Sequence, residues 1–250
     1  MFVQNNDIMK RILLCTLCFY TLLLMACMGI GRKEKYTPLP AEGKTIDVTT
    51  FNAIKAEGVF NIILSQGDKE SVVIKGDMPE GLDIKNEGET LMITDTLNGK
   101  LQFSRHVVKT DIYVTIIDVN SISIESVGTT ECKDTLKLKR LDFGSEGVGA
   151  STLWLNSDSI NVSQDGVGKL TLAGNAALVK IESSGVGALD AKELKADILH
   201  LEATGVGSAK VYAIKELYLQ SSGVGGVEYY GPAKVMENVS SGVGKVEKEN

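Results

Sequence analysis

The stretch "SSGVGALD", residues 183–190, sets Gly185-Val186-Gly187 behind two small hydroxyl residues. Nearly the same text returns as "ATGVGSA" at 203–209, "SSGVGGV" at 221–227 and "SSGVGKV" at 240–246. Six first glycines share the pattern: Gly147, Gly166, Gly185, Gly205, Gly223 and Gly242. Each is followed two residues on by a second glycine: Gly149, Gly168, Gly187, Gly207, Gly225 and Gly244. The intervals between first glycines are 19, 19, 20, 18 and 19 residues, and a degenerate copy, Ser126-Val127-Gly128, begins 21 residues before Gly147. A period this regular marks a repeat architecture.

Aligning the repeats exposes their columns. Six residues before the first glycine stand Leu141, Ile160, Val179, Leu199, Leu217 and Met236; four before stand Phe143, Val162, Ile181, Leu201, Leu219 and Asn238. Four after stand Ser151, Leu170, Leu189, Ala209, Val227 and Val246, and six after stand Leu153, Leu172, Ala191, Val211, Tyr229 and Lys248. Polar residues fill the alternate positions, such as His200 and Glu202 around Leu201. Period 2 is the signature of strands with one buried face, and no helical i, i+3, i+4 spacing intervenes. Each unit reads as strand, Gly-Val-Gly corner, strand, then a second corner at Ala176, Ala196, Ile214 and Ala233.

The sequence therefore predicts an all-β protein, a parallel β-solenoid with coils of about 19 residues stacked at ~4.8 Å. In this reading the glycines turn a corner at positive φ with no Cβ to strike neighbouring coils, and Val186 packs into the corner. Ser184, Thr204, Ser222 and Ser241 either form a hydroxyl ladder beside it or bond locally to the corner amides.

Upstream, residues 45–125 alternate in the same way, for example Phe60/Ile62/Leu64 and Ile112/Val114/Ile116, with turns such as "NEGET" between short strands. This predicts a β-rich part continuous with the solenoid. The organisation is a signal peptide at 1–27, a tether at 28–44 containing Pro38 and Pro40, the N-terminal β-rich part at 45–125 and the repeats at 126–250.

The repeat, with "FNAIKAEGVFNIILSQGDKESVVIKGD" (51–77), "GLDIKNEGETLMI" (81–93) and "IYVTI" (112–116), resembles the GIN-domain family of auto-transporter adhesin heads across about residues 45–250. The resemblance implies a β-solenoid borne by cell-envelope lipoproteins of Bacteroides type. That family usually writes G-S-G-D at the corner where this chain writes G-V-G, and it carries over no catalytic residue.

The leader agrees with export. Met9-Lys10-Arg11 precedes an apolar run of 14 residues from Ile12 to Met25, shorter than the ~20 residues of a spanning helix. It ends in Leu24-Met25-Ala26-Cys27, which resembles the lipobox of bacterial lipoproteins, in which the Cys is acylated and becomes the mature N-terminus. Stable anchoring takes more than one acyl chain. The expected location is the cell envelope, lipid-anchored to the outer membrane, and the basic run Arg32-Lys33-Glu34-Lys35 favours the periplasmic face. Once the signal is removed with Cys15 and Cys18, Cys132 is the remaining unlipidated cysteine, so no intrachain disulfide is expected. Cys132 falls in an inward column and reads as a small buried hydrophobe; dimerisation through it is the alternative.

Composition narrows the partners. With net charge −6 over 250 residues, a nucleic-acid partner, which needs clustered cations to displace counterions, is not expected. A phosphate cradle needs a helix after its glycines, and strands follow these. A calcium roll needs recurring carboxylates at its turns, whereas Glu146 and Asp165 give way to hydroxyls. His106 and His200 have no cysteine partner outside the core, so neither metal nor cofactor is expected. Asp190, Glu228 and Glu247 share a column that Lys210 interrupts. The outward aromatics Trp154, Tyr212 and Tyr230, each seven residues past a first glycine, are the candidate face for a sugar ring or a partner chain. The reading is a non-catalytic adhesive or structural module that binds an envelope protein or glycan, with homo-oligomerisation open. The alternatives are a carbohydrate-active β-helix enzyme and a periplasmic scaffold or sensor partner. Cys27→Ser is expected to move the protein from the membrane to the soluble fraction and abolish fatty-acid labelling; a variant still membrane-bound would refute the anchor.

Overall fold

The computed structural model describes residues 36–96 and 110–249. The leader, Cys27, residues 28–35 of the segment expected as tether and His106 lie outside the described residues. The short strands come first: β1 (Tyr36–Pro38), β2 (Lys44–Ile46), β3 (Ala53–Val59), β4 (Asn61–Gln66), β5 (Ser71–Pro79), β6 (Leu82–Glu87), β7 (Thr90–Asp95) and β8 (Thr110–Ile116). The repeats supply β9 (Ser121–Cys132), β10 (Leu136–Ser145), β11 (Val148–Gln164), β12 (Val167–Ser183), β13 (Val186–Ala203) and β14 (Val206–Ser221). The C-terminal end of the stack holds β15 (Val227–Tyr230) and β16 (Lys234–Ser240), with β17 (Val246–Lys248) one rung further on, paired with β15.

From β9 onward each strand pairs in parallel with the strand one repeat later, so the chain is a parallel β-solenoid. The register of β11 on β12 runs from Val148↔Val167 to Gln164↔Ser183, a constant offset of one 19-residue coil. The N-terminal part continues the stack, because β3 pairs in parallel with β9 at Ala53↔Ser121 through Val59↔Val127. β4 pairs in parallel with β8. Antiparallel pairs close this end: β5 on β8, and β6 on β7. β1 and β2 also lie antiparallel on β5, so the folded body begins inside the segment expected as tether.

The core is a bundle of aliphatic columns. Leu141, Ile160, Val179, Leu199 and Leu217 stack through successive rungs, and each is wholly buried. Phe143, Val162, Ile181, Leu201 and Leu219 form the next column. Burying such side chains stabilises by about 1.5–3 kcal/mol each. Among the described residues every buried side-chain nitrogen and oxygen has a hydrogen-bond partner.

The two glycines of each corner serve different ends. Gly187 has φ +152°, which L side chains rarely adopt, whereas Gly185 does not lie at positive φ. A Cβ on either would overlap a carbonyl oxygen of the preceding coil, that of Gly166 or Gly168. The coils are that close because the corner is itself a hydrogen-bonded rung: Val186 N–H donates to Gly166 O at 3.0 Å and Val206 N–H to Gly185 O at 2.9 Å.

Three expectations need correction. Val186 does not pack inside the corner. It is 52% exposed, and Val127, Val148, Val167, Val206, Val224 and Val243 stand with it as an outward ladder. Alternation continues through the corner, so the residue between the glycines faces out. The small residue at the second corner of β14 is Ala213, paired with Ala196, and Ile214 is exposed because a register shift intervenes. In the last coil Val235, not Met236, pairs with Leu217, and Met236 is exposed.

Cys132 packs at the edge of the core. Burial pushes its thiol up to about 11, partly offset by a backbone hydrogen bond from Trp154.

Gly185→Val and Gly187→Ala are each expected to cost about 3 kcal/mol or more in urea unfolding. Val186→Thr, at an exposed rung, is expected to stay within about 0.5 kcal/mol. Cys132 should alkylate slowly until the chain is denatured. Because its folded pKa is raised from 9.0 to about 11, stability due to the neutral thiol is present below pH 9 and lost as pH rises toward 11, readable as a falling Tm.

Candidate binding faces

Two outward faces flank the Gly-Val-Gly corner. The face before it carries a column running Ser121, Asp142, Asn161, Lys180, His200, Tyr218 and Glu237, one residue per coil. Two residues along, a second column carries Ser123, Gly144, Ser163, Glu182, Glu202 and Gln220. Period 2 keeps both columns outward while Phe143, Val162 and Ile181 between them point to the core.

At the N-terminal half of this face the small side chains leave a concavity of about 440 Å³, lined by Ser121, Ser123, Asp142, Asn161, Lys180 and Glu182 among others. Gly144 supplies no side chain to fill it. Asp142 is held from both sides: Arg140 Nη2 lies 3.0 Å from Oδ2, and Asn161 Nδ2 donates to Oδ1 at 2.6 Å. Further along, the rings of His200 and Tyr218 stack with centroids 4.2 Å apart and planes 2° from parallel. The Tyr218 hydroxyl donates to Glu216 Oε2 at 2.9 Å. That bond raises the Tyr218 pKa above its ordinary value.

The face after the corner holds the aromatic candidates. Tyr212 and Tyr230 are rung neighbours. Trp154 is 49% exposed but pairs with Ala173, which pairs with Glu193. The Tyr212 column passes instead through Lys195, Asn175 and Asn156. Register shifts at Thr171/Ala173 and Ala191/Lys195 move the columns apart, so the three aromatics do not form one row. Glu228 organises the tyrosine end, accepting from Lys210 Nζ at 2.7 Å and from the Tyr230 hydroxyl at 2.9 Å. Lys210 first and Tyr230 second hold the Glu228 carboxyl below the usual range. Lys169 and Asp190 pair at 3.4 Å on the same face. These pairs are exposed to solvent, so they orient side chains more than they stabilise the fold.

His200, for which the sequence offered no metal-binding partner, is half of a stacked pair. Its signal was present: His200 and Tyr218 both stand five residues before a first glycine, in successive repeats. Among the described residues no group of three His, Cys, Asp or Glu side chains is placed to hold a metal ion.

Asp142 and Glu182 are the carboxylates of the concavity. Two coils and two residues separate them, which puts their Cα atoms about 12 Å apart. The face offers hydrogen-bonding groups in a row, one per coil.

Comparison with known proteins agrees with this architecture. A solved structure described as "a putative adhesin" from Bacteroides fragilis is 28% identical and superposes with a TM-score of 0.76, covering 82% of this chain and 95% of that one. A second "putative adhesin", from Parabacteroides merdae, is 22% identical with a TM-score of 0.60, covering 83% and 95%. A "putative lipid binding protein" from Parabacteroides distasonis, 18% identical with a TM-score of 0.61, covers 82% and 95%. The last two show the shared fold. No curated protein matches the chain. The sequence pattern of the family described as "Putative auto-transporter adhesin, head GIN domain" matches residues 50–233, and the chain belongs to that family.

Proposed function

We propose that the protein is a non-catalytic cell-envelope module, lipid-anchored through Cys27 to the outer membrane, that uses the face before the corner to bind a glycan or an envelope partner. The observation that carries this reading is the 440 Å³ concavity, where Asp142, Asn161 and Lys180 stand on successive coils. A carboxylate, an amide and an ammonium spaced ~4.8 Å apart can bond successive hydroxyls of an extended sugar chain lying along the stack. Asp142 and Asn161 are paired with each other meanwhile, so a ligand exchanges that hydrogen bond for its own, and affinity comes from repetition over several coils. Membership of an adhesin-named family supports an envelope role.

The test is a glycan panel and an envelope-protein pull-down with the full chain. Asn161→Ala/Lys180→Ala is expected to weaken capture at least tenfold with the melting temperature unchanged, and Tyr212→Ala/Tyr230→Ala measures any contribution of the other face. Loss confined to the tyrosine variant would move the site to the face after the corner. Cleavage of a captured glycan would end the non-catalytic reading.

A further inference from the structure

The valine ladder is not used by either face, and it is unusual in its regularity. Val127, Val148, Val167, Val186, Val206 and Val224 are each 48–52% exposed and Val243 is 73% exposed. They are consecutive rungs, so at ~4.8 Å per coil they make an apolar ridge about 29 Å long.

Beside the ridge runs a second exposed column, one residue before each first glycine, divided in two by chemistry. Its lower rungs are the carboxylates Glu125, Glu146 and Asp165; its upper rungs are the hydroxyls Ser184, Thr204, Ser222 and Ser241. Their adjacency is fixed by backbone bonds such as Glu146 N–H to Ile124 O and Ser222 N–H to Ala203 O. Ser184 Oγ already donates to Asp165 Oδ1 at 2.9 Å, so a hydroxyl–carboxylate contact is the natural one at this edge.

We infer that the valine ladder is a self-association surface on which a second copy of this chain lies antiparallel. Pitch argues for a second copy: a ridge with an apolar side chain every ~4.8 Å meets a ridge of the same pitch rung for rung along its length. Charge argues for the antiparallel direction. A two-fold axis across the ridge at Val186 brings Glu125 opposite Ser241, Glu146 opposite Ser222 and Asp165 opposite Thr204, with Ser184 opposite its own copy. Every carboxylate then meets a hydroxyl donor and none meets a carboxylate. The strip from the acid–hydroxyl column to the third residue past the first glycine measures about 29 by 13 Å, roughly 400 Å² per copy, half the usual specific interface. Pairing is therefore weak and concentration-dependent. It is separate from glycan binding, since the concavity lies on the face before the corner.

The test uses the full chain, purified in detergent. Ser184→Cys sits at the two-fold axis and is expected to form a disulfide-linked dimer on mild oxidation, while Glu146→Cys is not. Val167→Glu/Val206→Glu sets like charges opposite each other and is expected to weaken dimerisation in sedimentation velocity at least about 100-fold, with an unchanged melting temperature because both rungs are exposed. Val167→Glu/Val206→Lys is expected to restore it, since rung 167 faces rung 206 of the other copy in the antiparallel register alone. A Ser184→Cys chain that stays monomeric, association unaffected by the paired Glu substitutions, or failure of the charge-swapped variant to recover would each overturn the inference. A monomer that still captures glycan would overturn the dimer and leave the proposed function standing; a dimer that captures none would do the reverse.

Discussion

The distance between coils at the Gly-Val-Gly corner governs this molecule. Backbone hydrogen bonds pull each corner down onto the one before it, and at that separation a single Cβ on either glycine collides with a carbonyl oxygen. The corner's hydrogen bonds and its missing side chains are one fact seen twice. Because the same collision recurs in every coil, the glycine pair recurs too, and the flat strands between corners are free to vary on their outward side. The aliphatic columns then follow, since strands held in register by the corner must place Leu141, Ile160, Val179, Leu199 and Leu217 one above another.

Most of this was legible in the sequence, because a repeat of about 19 residues writes its register directly into spacing. What was not legible depends on local slips that spacing averages over. The second corner varies in length, so counting from the glycines placed Ile214 at that corner and Met236 in a core column, where Ala213 and Val235 stand. The same slips separate Trp154 from the tyrosines. The outward valines could have been read by continuing the alternation through the corner: buried positions four before and four after the first glycine put the residue one after it outside. An apolar side chain between glycines suggested interior packing and hid that parity. The antiparallel closure at β5 to β7 has no repeat to announce it.

The candidate faces show the same division. Columns containing His200 and Tyr218 follow from spacing alone. The concavity does not, because it arises from what Gly144 and the neighbouring serines leave out, and an absence of volume is visible only once the coils are stacked. Membership of the adhesin-named family agrees with a surface organised as parallel rows of exchangeable side chains on an unvarying frame.

The direction of the inter-coil bonds carries a mechanical consequence. Strands run across the stack, so their hydrogen bonds point along it. A pull along the stack, applied at its C-terminal end, loads β17 first and then β15 and β16, and opens one coil at a time, like peeling tape. That end is also the least buried, with Asn238 and Lys248 where the columns would otherwise be apolar. A pull delivered sideways over the valine ridge instead slides whole coils past one another and divides the force among all the rungs at once. A rod built this way resists load best when it is gripped along its flank rather than at its tip.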